Sequence, residues 1–298
     1  VKLKSVLFFP RTSSAAFRPT RRRRWIRWGI GFVAVAILLA GAYAWWSYHG
    51  PTPPTEIYRG VVYSCERMPN GPESGGLLHL IRADLNVPGV SLYVTPLDPQ
   101  AVAHGQQFRL RYVSTAVRAD HLAAAVNGTL FFSESTWIRL PGDWARSNET
   151  VVADHVVSHV HPHTYLLWWD DQLIAHLETT KPPSAAVLAK AKWAIGGQMA
   201  LLVDGKVNPW GGHAPDHRTM IGADPDKRLV WLAVFDKASY AFAAATLARH
   251  GAKIGVMVDG GTSCAMAIGP DARGVRSGTV TGNWRPVATQ FGVRALPR

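Results

Sequence analysis

Cysteine is almost absent from this chain: Cys65 and Cys264 are the only two in 298 residues. They allow one disulfide or two separate buried thiols, and no Cys/His spacing suggests a structural zinc. Acidic residues are missing altogether from residues 1–28, which hold nine lysines and arginines. That block conceals how balanced the remainder is. Of 32 basic residues, 23 are left to face 20 acids, a net charge of +3 against +12 for the whole chain. A near-neutral domain gives no electrostatic ground for binding polyphosphate, so no nucleic-acid partner is expected. The sequence also lacks a fixed-period repeat and the regular strand–helix alternation that a doubly wound sheet requires.

Charge is lacking again from Trp28 to Tyr48, a stretch dominated by the apolar run 30–40. A helix needs roughly 20 apolar residues to cross the hydrocarbon core, and this stretch is long enough. Trp25, Trp28, Trp45 and Trp46 stand at its two ends, where amphipathic rings prefer the headgroup level. With the arginine run 21–24 held on the cytoplasmic side, the expected organisation is a basic cytoplasmic segment (1–28) and a single-pass transmembrane helix or signal anchor of the inner or cytoplasmic membrane (29–48). A Pro-rich extended linker (49–56) and one extracytoplasmic domain, periplasmic or extracellular (57–298), follow. Ala42-Tyr43-Ala44 offers the alternative of a cleaved signal peptide. On either reading the domain is exported.

The exported part is rich in short strands. Ile57–Tyr63, Leu77–Leu85 and Val90–Thr95 read as strands, and Ser114–Leu122 as the first of two main helices. Asn127-Gly128 lies between the strand-like runs Ala123–Val126 and Leu130–Phe132, which by itself reads as a hairpin turn. Hairpins are also signalled at Thr164–Trp169 with Leu173–Leu177, at Asp204-Gly205, and at the turn 224–227 between Thr219–Ala223 and Leu229–Phe235. Ser239–His250 is the second helix, stopped by Gly251. Ile254–Val258 is a continuous apolar run, as in a strand buried on both faces. Cys264–Ile268 and Val287–Val293 follow as strands. The class is α+β: a mixed, strand-rich sheet core with two main helices.

Several local features carry chemistry, each with a plainer alternative. Asp259-Gly260-Gly261-Thr262-Ser263 follows the buried strand; it is either a tight turn or a carboxylate at a strand mouth, with glycines admitting a ligand and hydroxyls beside it. Arg218, opening a strand after His217, is either a surface ion-pair partner or a bidentate phosphate clamp. Gly196-Gly197, before Gln198-Met199, is a bulge or a loop.

Taken in order, the blocks around Asn127-Gly128-Thr129, Gly196-Gly197-Gln198-Met199, His217-Arg218-Thr219, Asp259-Gly260-Gly261-Thr262-Ser263 and Trp284-Arg285-Pro286 make the chain resemble the phosphodiester glycosidase family, from roughly Tyr58 to Val293. That family includes the uncovering enzyme that removes N-acetylglucosamine from a phosphodiester-linked mannose. The chain departs from the pattern at Thr129 and Leu130, which separate Asn127-Gly128 from the Phe131-Phe132 pair; at Gln198-Met199; and at Ser133, which precedes Glu134. The resemblance implies a glycosidase-type hydrolase releasing free sugar and a phosphomonoester, without a cofactor, acting on a carbohydrate phosphodiester in an envelope glycan or glycoconjugate. It implies Asp259 as the group that activates water or attacks the anomeric carbon, Arg218 as the charge clamp, and His217 as a proton shuttle. Asn127, Gly128, Gly197, Gly260, Gly261, Thr262, Ser263 and Arg285 would hold the substrate.

Two other functions fit parts of the sequence. One is a non-catalytic envelope protein that binds an anionic glycan in the same cleft. The other is a metal hydrolase on His155, His159, His161 and His163, three of which alternate as on a strand, although Pro162 interrupts it. Oligomeric state is open.

Overall fold

The structure is a computed structural model that describes residues 28, 31–39, 41, 50–135, 138–208 and 214–298. The chain divides into two compact units, Val1–Gly50 and Pro51–Arg298. In the first, residues 28, 31–39 and 41 are helical and exposed. The remainder of the expected membrane-crossing helix, 29–48, and the basic segment before it lie outside the described residues. Among the described residues no helix is long and apolar enough to cross a membrane.

The second unit is α+β, built from several sheets. An eight-stranded sheet runs in the order Thr52–Tyr58, Val61–Arg67, Ser74–Asp84, Leu229–Ala238, Asp216–Asp224, Ile254–Met257, Met199–Val203, Lys206–Val207. One five-stranded sheet places Ala124–Asn127 between Ala265–Ile268 and Gln290–Arg294, and a second places Trp193–Gly197 beside Tyr165–Trp169. A three-stranded sheet joins Phe108–Arg109, Trp144–Ser147 and Phe131–Ser133. Every pairing among the described strands is antiparallel, which corrects the expectation of a mixed sheet.

Side chains alternate between two faces of a strand, and here both faces are buried. Along Leu229–Ala238, Val230, Leu232 and Val234 enter a central core shared by all three larger sheets; Trp231, Ala233 and Phe235 enter an outer core under the helix Tyr240–Arg249. Ala124 and Val126 likewise face the central core, and Ala125 faces outward to the helix Val113–Ala119. Leu167 and Trp169 point inward, while Leu166 and Trp168 pack with Leu188 of the helix Ala185–Lys190. Three sheets thus enclose one apolar core, each with a helix outside. The helix Tyr240–Arg249 begins at Ser239, whose hydroxyl accepts from the Phe242 N–H, and stops before Gly251 at φ 102°.

Residues 52–55 of the expected linker run extended, as prolines favour, but are paired against Val61–Arg67 as an edge strand. The Asn127-Gly128 step is not a hairpin: the strands on its two sides belong to different sheets. Cys65 and Cys264 are free, buried thiols, each pushed up by burial, to about 11 and about 12.

Candidate active site

Asp259 leaves the fully buried strand Ile254–Met257 and is itself buried, with its backbone fixed from two sides. Its N–H donates to the Gly128 carbonyl at 3.0 Å, and its own carbonyl accepts from Asn127 Nδ2 at 2.7 Å. Asn127 Oδ1 in turn accepts from Thr219 Oγ1 (2.7 Å) and the Ala265 N–H (3.0 Å). One fully buried amide thus ties three neighbouring strands to the Asp259 turn. Asn127, expected as a sugar contact, is fully buried with both ends of its amide engaged on protein, where it positions the Asp259 turn.

The Asp259 side chain receives hydrogen bonds from the Ser263 hydroxyl and the Gly260 N–H, and is paired with Arg285, whose Nη2 lies 3.5 Å from Oδ2. Burial holds its pKa above the ordinary carboxylate value, opposed by these groups and by the Arg139 charge. Arg285 Nε donates to Ser263 Oγ at 2.9 Å, and its Nη2 makes a further contact with that oxygen. Arg285 and Arg139 both lie over the Phe131 ring, 5.4 and 5.0 Å from its centroid. Burial and the Arg139 charge lower the Arg285 pKa, as expected for two cations facing one carboxylate. The local surplus of positive charge suits an anionic substrate group.

The turn itself depends on glycine. Gly261 has φ 60°, and Gly261–Ser263 forms one turn of 3₁₀ helix. A Cβ on Gly128 would stand 2.4 Å from Thr289 Oγ1; one on Gly197 would stand 2.7 Å from the Met257 carbonyl oxygen. These two glycines permit close strand packing beneath the site. Thr262 is exposed at the turn.

Arg218, expected as the clamp, is engaged on protein through two of its three nitrogens. It is buried, donates from Nε to the Ala238 carbonyl (3.3 Å) and from Nη2 to the Ala214 carbonyl (2.9 Å), and stacks 4.4 Å above Tyr240. Its remaining terminal nitrogen is near Gly260, so it supports the turn from below. His217 is exposed, with Nδ1 3.6 Å from Asp216 Oδ1. The cation paired with Asp259 is Arg285, and the Arg139 charge also acts on that carboxylate.

One buried acid near the Asp259 turn belongs to no motif in the sequence. Glu149 is only 4% exposed, and its Oε2 has no hydrogen-bond partner among the described residues. Burial first, and then the Asp259 charge, push its pKa up to about 8, against the lowering effect of the Leu130 N–H. Its backbone is clasped by Ser147, whose hydroxyl donates to the Glu149 carbonyl (2.6 Å) and accepts from its N–H (3.1 Å). From Ser147 Oγ a chain of hydroxyls runs through Thr129 (2.7 Å) to Thr289 (2.9 Å). Gly128, whose N–H donates to the Thr289 carbonyl, completes the link to Asp259. Gly196 makes room on the other side: a Cβ there would stand 2.5 Å from Glu149 Cβ and 2.7 Å from the Thr150 carbonyl oxygen. In the sequence Glu149 is one acid in a loop. The available signal was its position two residues before the buried run Val151–Ala153. Arg139 is equally silent. Glu134, the acid after the Phe pair, is exposed and accepts from Gln106.

The histidines do not form a metal centre. The 158–164 segment is irregular, with the His159, His161 and His163 rings meeting edge-on at 6.2 and 5.9 Å, and no group of potential ligands able to hold a metal is found among the described residues.

Comparison with known proteins adds a family and a fold. The family model described as phosphodiester glycosidase matches residues 120–294, more than half of the chain. No curated protein matches. Among solved structures, a hypothetical protein from Synechocystis superposes with a TM-score of 0.59 at 13% identity, covering 82% of this chain and 64% of that one; this chain spans less than two thirds of that relative's length. The zebrafish N-acetylglucosamine-1-phosphodiester alpha-N-acetylglucosaminidase catalytic domain, auto-inhibited by its pro-peptide, superposes with a TM-score of 0.57 at 13% identity, covering 81% of this chain and 85% of that one. At these identities the two structures share the fold with this chain.

Proposed function

The chain belongs to the phosphodiester glycosidase family, and from that premise we propose that it is a hydrolase cleaving the bond between a sugar's anomeric carbon and a phosphodiester. The observation that carries the reading is the buried Asp259 carboxylate held by Ser263 and Arg285. A phosphate ester leaves readily once its charge is met, and Arg285 with Arg139 supplies preorganised positive charge beside that carboxylate. Asp259 then takes a proton from water adding to the anomeric carbon, or attacks that carbon itself. The substrate is a carbohydrate phosphodiester of an extracytoplasmic glycan or glycoconjugate. The basic run and apolar stretch at the N-terminus support placing the domain outside a membrane that this segment anchors or crosses.

Purified protein would be incubated with a panel of sugar-1-phosphodiesters in ¹⁸O-labelled water. The reading expects free sugar carrying the label and an unlabelled phosphomonoester, with Asp259→Asn inactive. Label in the phosphate would mean P–O cleavage and would exclude a glycosidase. Binding without turnover would favour the glycan-binding alternative.

A further inference from the structure

Asp259 accounts for one end of a bond cleavage, and nothing in the proposed function uses Glu149. Yet the fold secures this residue on two sides. Ser147 grips its backbone through two hydrogen bonds, the Thr129 and Thr289 hydroxyls connect that grip to the Asp259 turn, and Gly196 leaves the space its stem occupies. The result is a buried carboxyl group with one oxygen unpartnered among the described residues, linked to the Asp259 turn through the Thr129, Thr289 and Gly128 contacts. A buried carboxyl without an ion partner is costly as an anion. A neighbouring carboxylate makes it costlier still, so the two groups divide into one charged and one protonated member. Among the described residues no arginine is paired with Glu149, whereas Arg285 sits on Asp259.

We propose that Glu149 is a second catalytic carboxyl group, which gives its proton to the departing phosphate oxygen while Asp259 receives one from the incoming water. This rests on the hydrolytic reading above. In the step, the water oxygen bonds to the anomeric carbon and the carbon–oxygen bond to phosphorus breaks. The electron pair of the broken bond goes to the phosphate oxygen, which takes the Glu149 proton; the water's proton goes to the Asp259 carboxylate. Transfer of that proton through solvent back to Glu149 restores both groups. No oxidant, metal or other reactant is needed. The protonated state of Glu149 extends to about pH 8, so the enzyme keeps its acid through the neutral range.

The test is the pH profile of kcat/KM for wild type, Glu149→Gln and Asp259→Asn on a sugar-1-phosphodiester that the wild type turns over, with melting curves to verify folding. Wild-type activity is expected to fall above about pH 8, and Glu149→Gln is expected to be slower by about 100-fold with that basic limb removed. A Glu149→Gln variant with wild-type rate and limb overturns the role of Glu149 and leaves hydrolysis standing on an inactive Asp259→Asn. A flat wild-type profile between pH 7 and 9 overturns it without any variant. Absence of turnover by the wild type across the whole substrate panel removes the hydrolytic reading and this role together.

Discussion

Arg285 reaches the Asp259 carboxylate from 26 residues downstream, its Nη2 3.5 Å from Oδ2, while its Nε donates to Ser263 at 2.9 Å. The guanidinium therefore braces the turn and neutralises the carboxylate at once. Arg285→Ala is expected to lower kcat by about 100- to 1000-fold, the usual cost of removing one preorganised charge partner. It also removes a cation that lowers the Asp259 pKa. The acid limb of kcat/KM therefore moves to higher pH. Arg285→Lys restores charge without the planar fork and recovers only part of the rate. An Arg285→Ala variant within threefold of wild type would remove Arg285 from the site.

Arg218 separates two accounts of where phosphate binds. Its hydrogen bonds go to the Ala238 and Ala214 carbonyls and its face to Tyr240, so Arg218→Met is expected to act mainly on stability, at about 2 kcal/mol. Denaturant unfolding beside a rate corrected for the folded fraction decides the matter. Full stability with activity as low as that of Asp259→Asn would return the clamp to Arg218.

Gly196→Ala places a methyl group where Glu149 Cβ and the Thr150 carbonyl already stand. Overpacking of this kind costs about 1–3 kcal/mol. The displaced segment carries Glu149, so kcat is expected to fall more than KM changes. A variant with lowered stability and wild-type kcat would show that the position of Glu149 tolerates a shift.

Stability itself should depend on Glu149 and pH. Its folded pKa, about 8, lies above the ordinary value of 4.5. The folded state therefore holds the proton more tightly than the unfolded chain. The contribution is fully present below pH 4.5 and is lost as pH rises to about 8. Glu149→Gln cannot ionise and is expected to be more stable than wild type at pH 8–9 by on the order of 4 kcal/mol, with the difference closing toward pH 4. Melting curves across that range check it; parallel curves for the two proteins would contradict a perturbed Glu149.

The parts of this site written as contiguous sequence were legible. Asp259, Gly260 and Ser263 stand together after an apolar run, and a buried strand ending in Asp-Gly-Gly announces a turn that admits a ligand. The helix Tyr240–Arg249 and the hairpins at 204–205 and 224–227 were readable for the same reason: capping and turn residues act on their near neighbours. What stayed hidden depends on residues distant in sequence. Arg218 looks free until Ala238 closes on it from the next strand. Glu149 has no meaning before Gly196 and Asp259 arrive beside it. Thr129 interrupts a glycine-rich pattern, and only the fold shows its hydroxyl meeting Ser147 and Thr289. Asn127-Gly128 misleads because a turn signal says nothing about which sheet receives the following strand.

The Asn127 amide has a further consequence for how this protein fails. It joins the Asp259 carbonyl to Thr219 and Ala265, on strands that are themselves part of the central core. The Asp259 turn is thus fastened directly to the core strands. Backbone held this way is expected to open with the core and not with the loops. On heating, loss of activity is therefore expected to track loss of fold, which activity and melting curves recorded side by side would check.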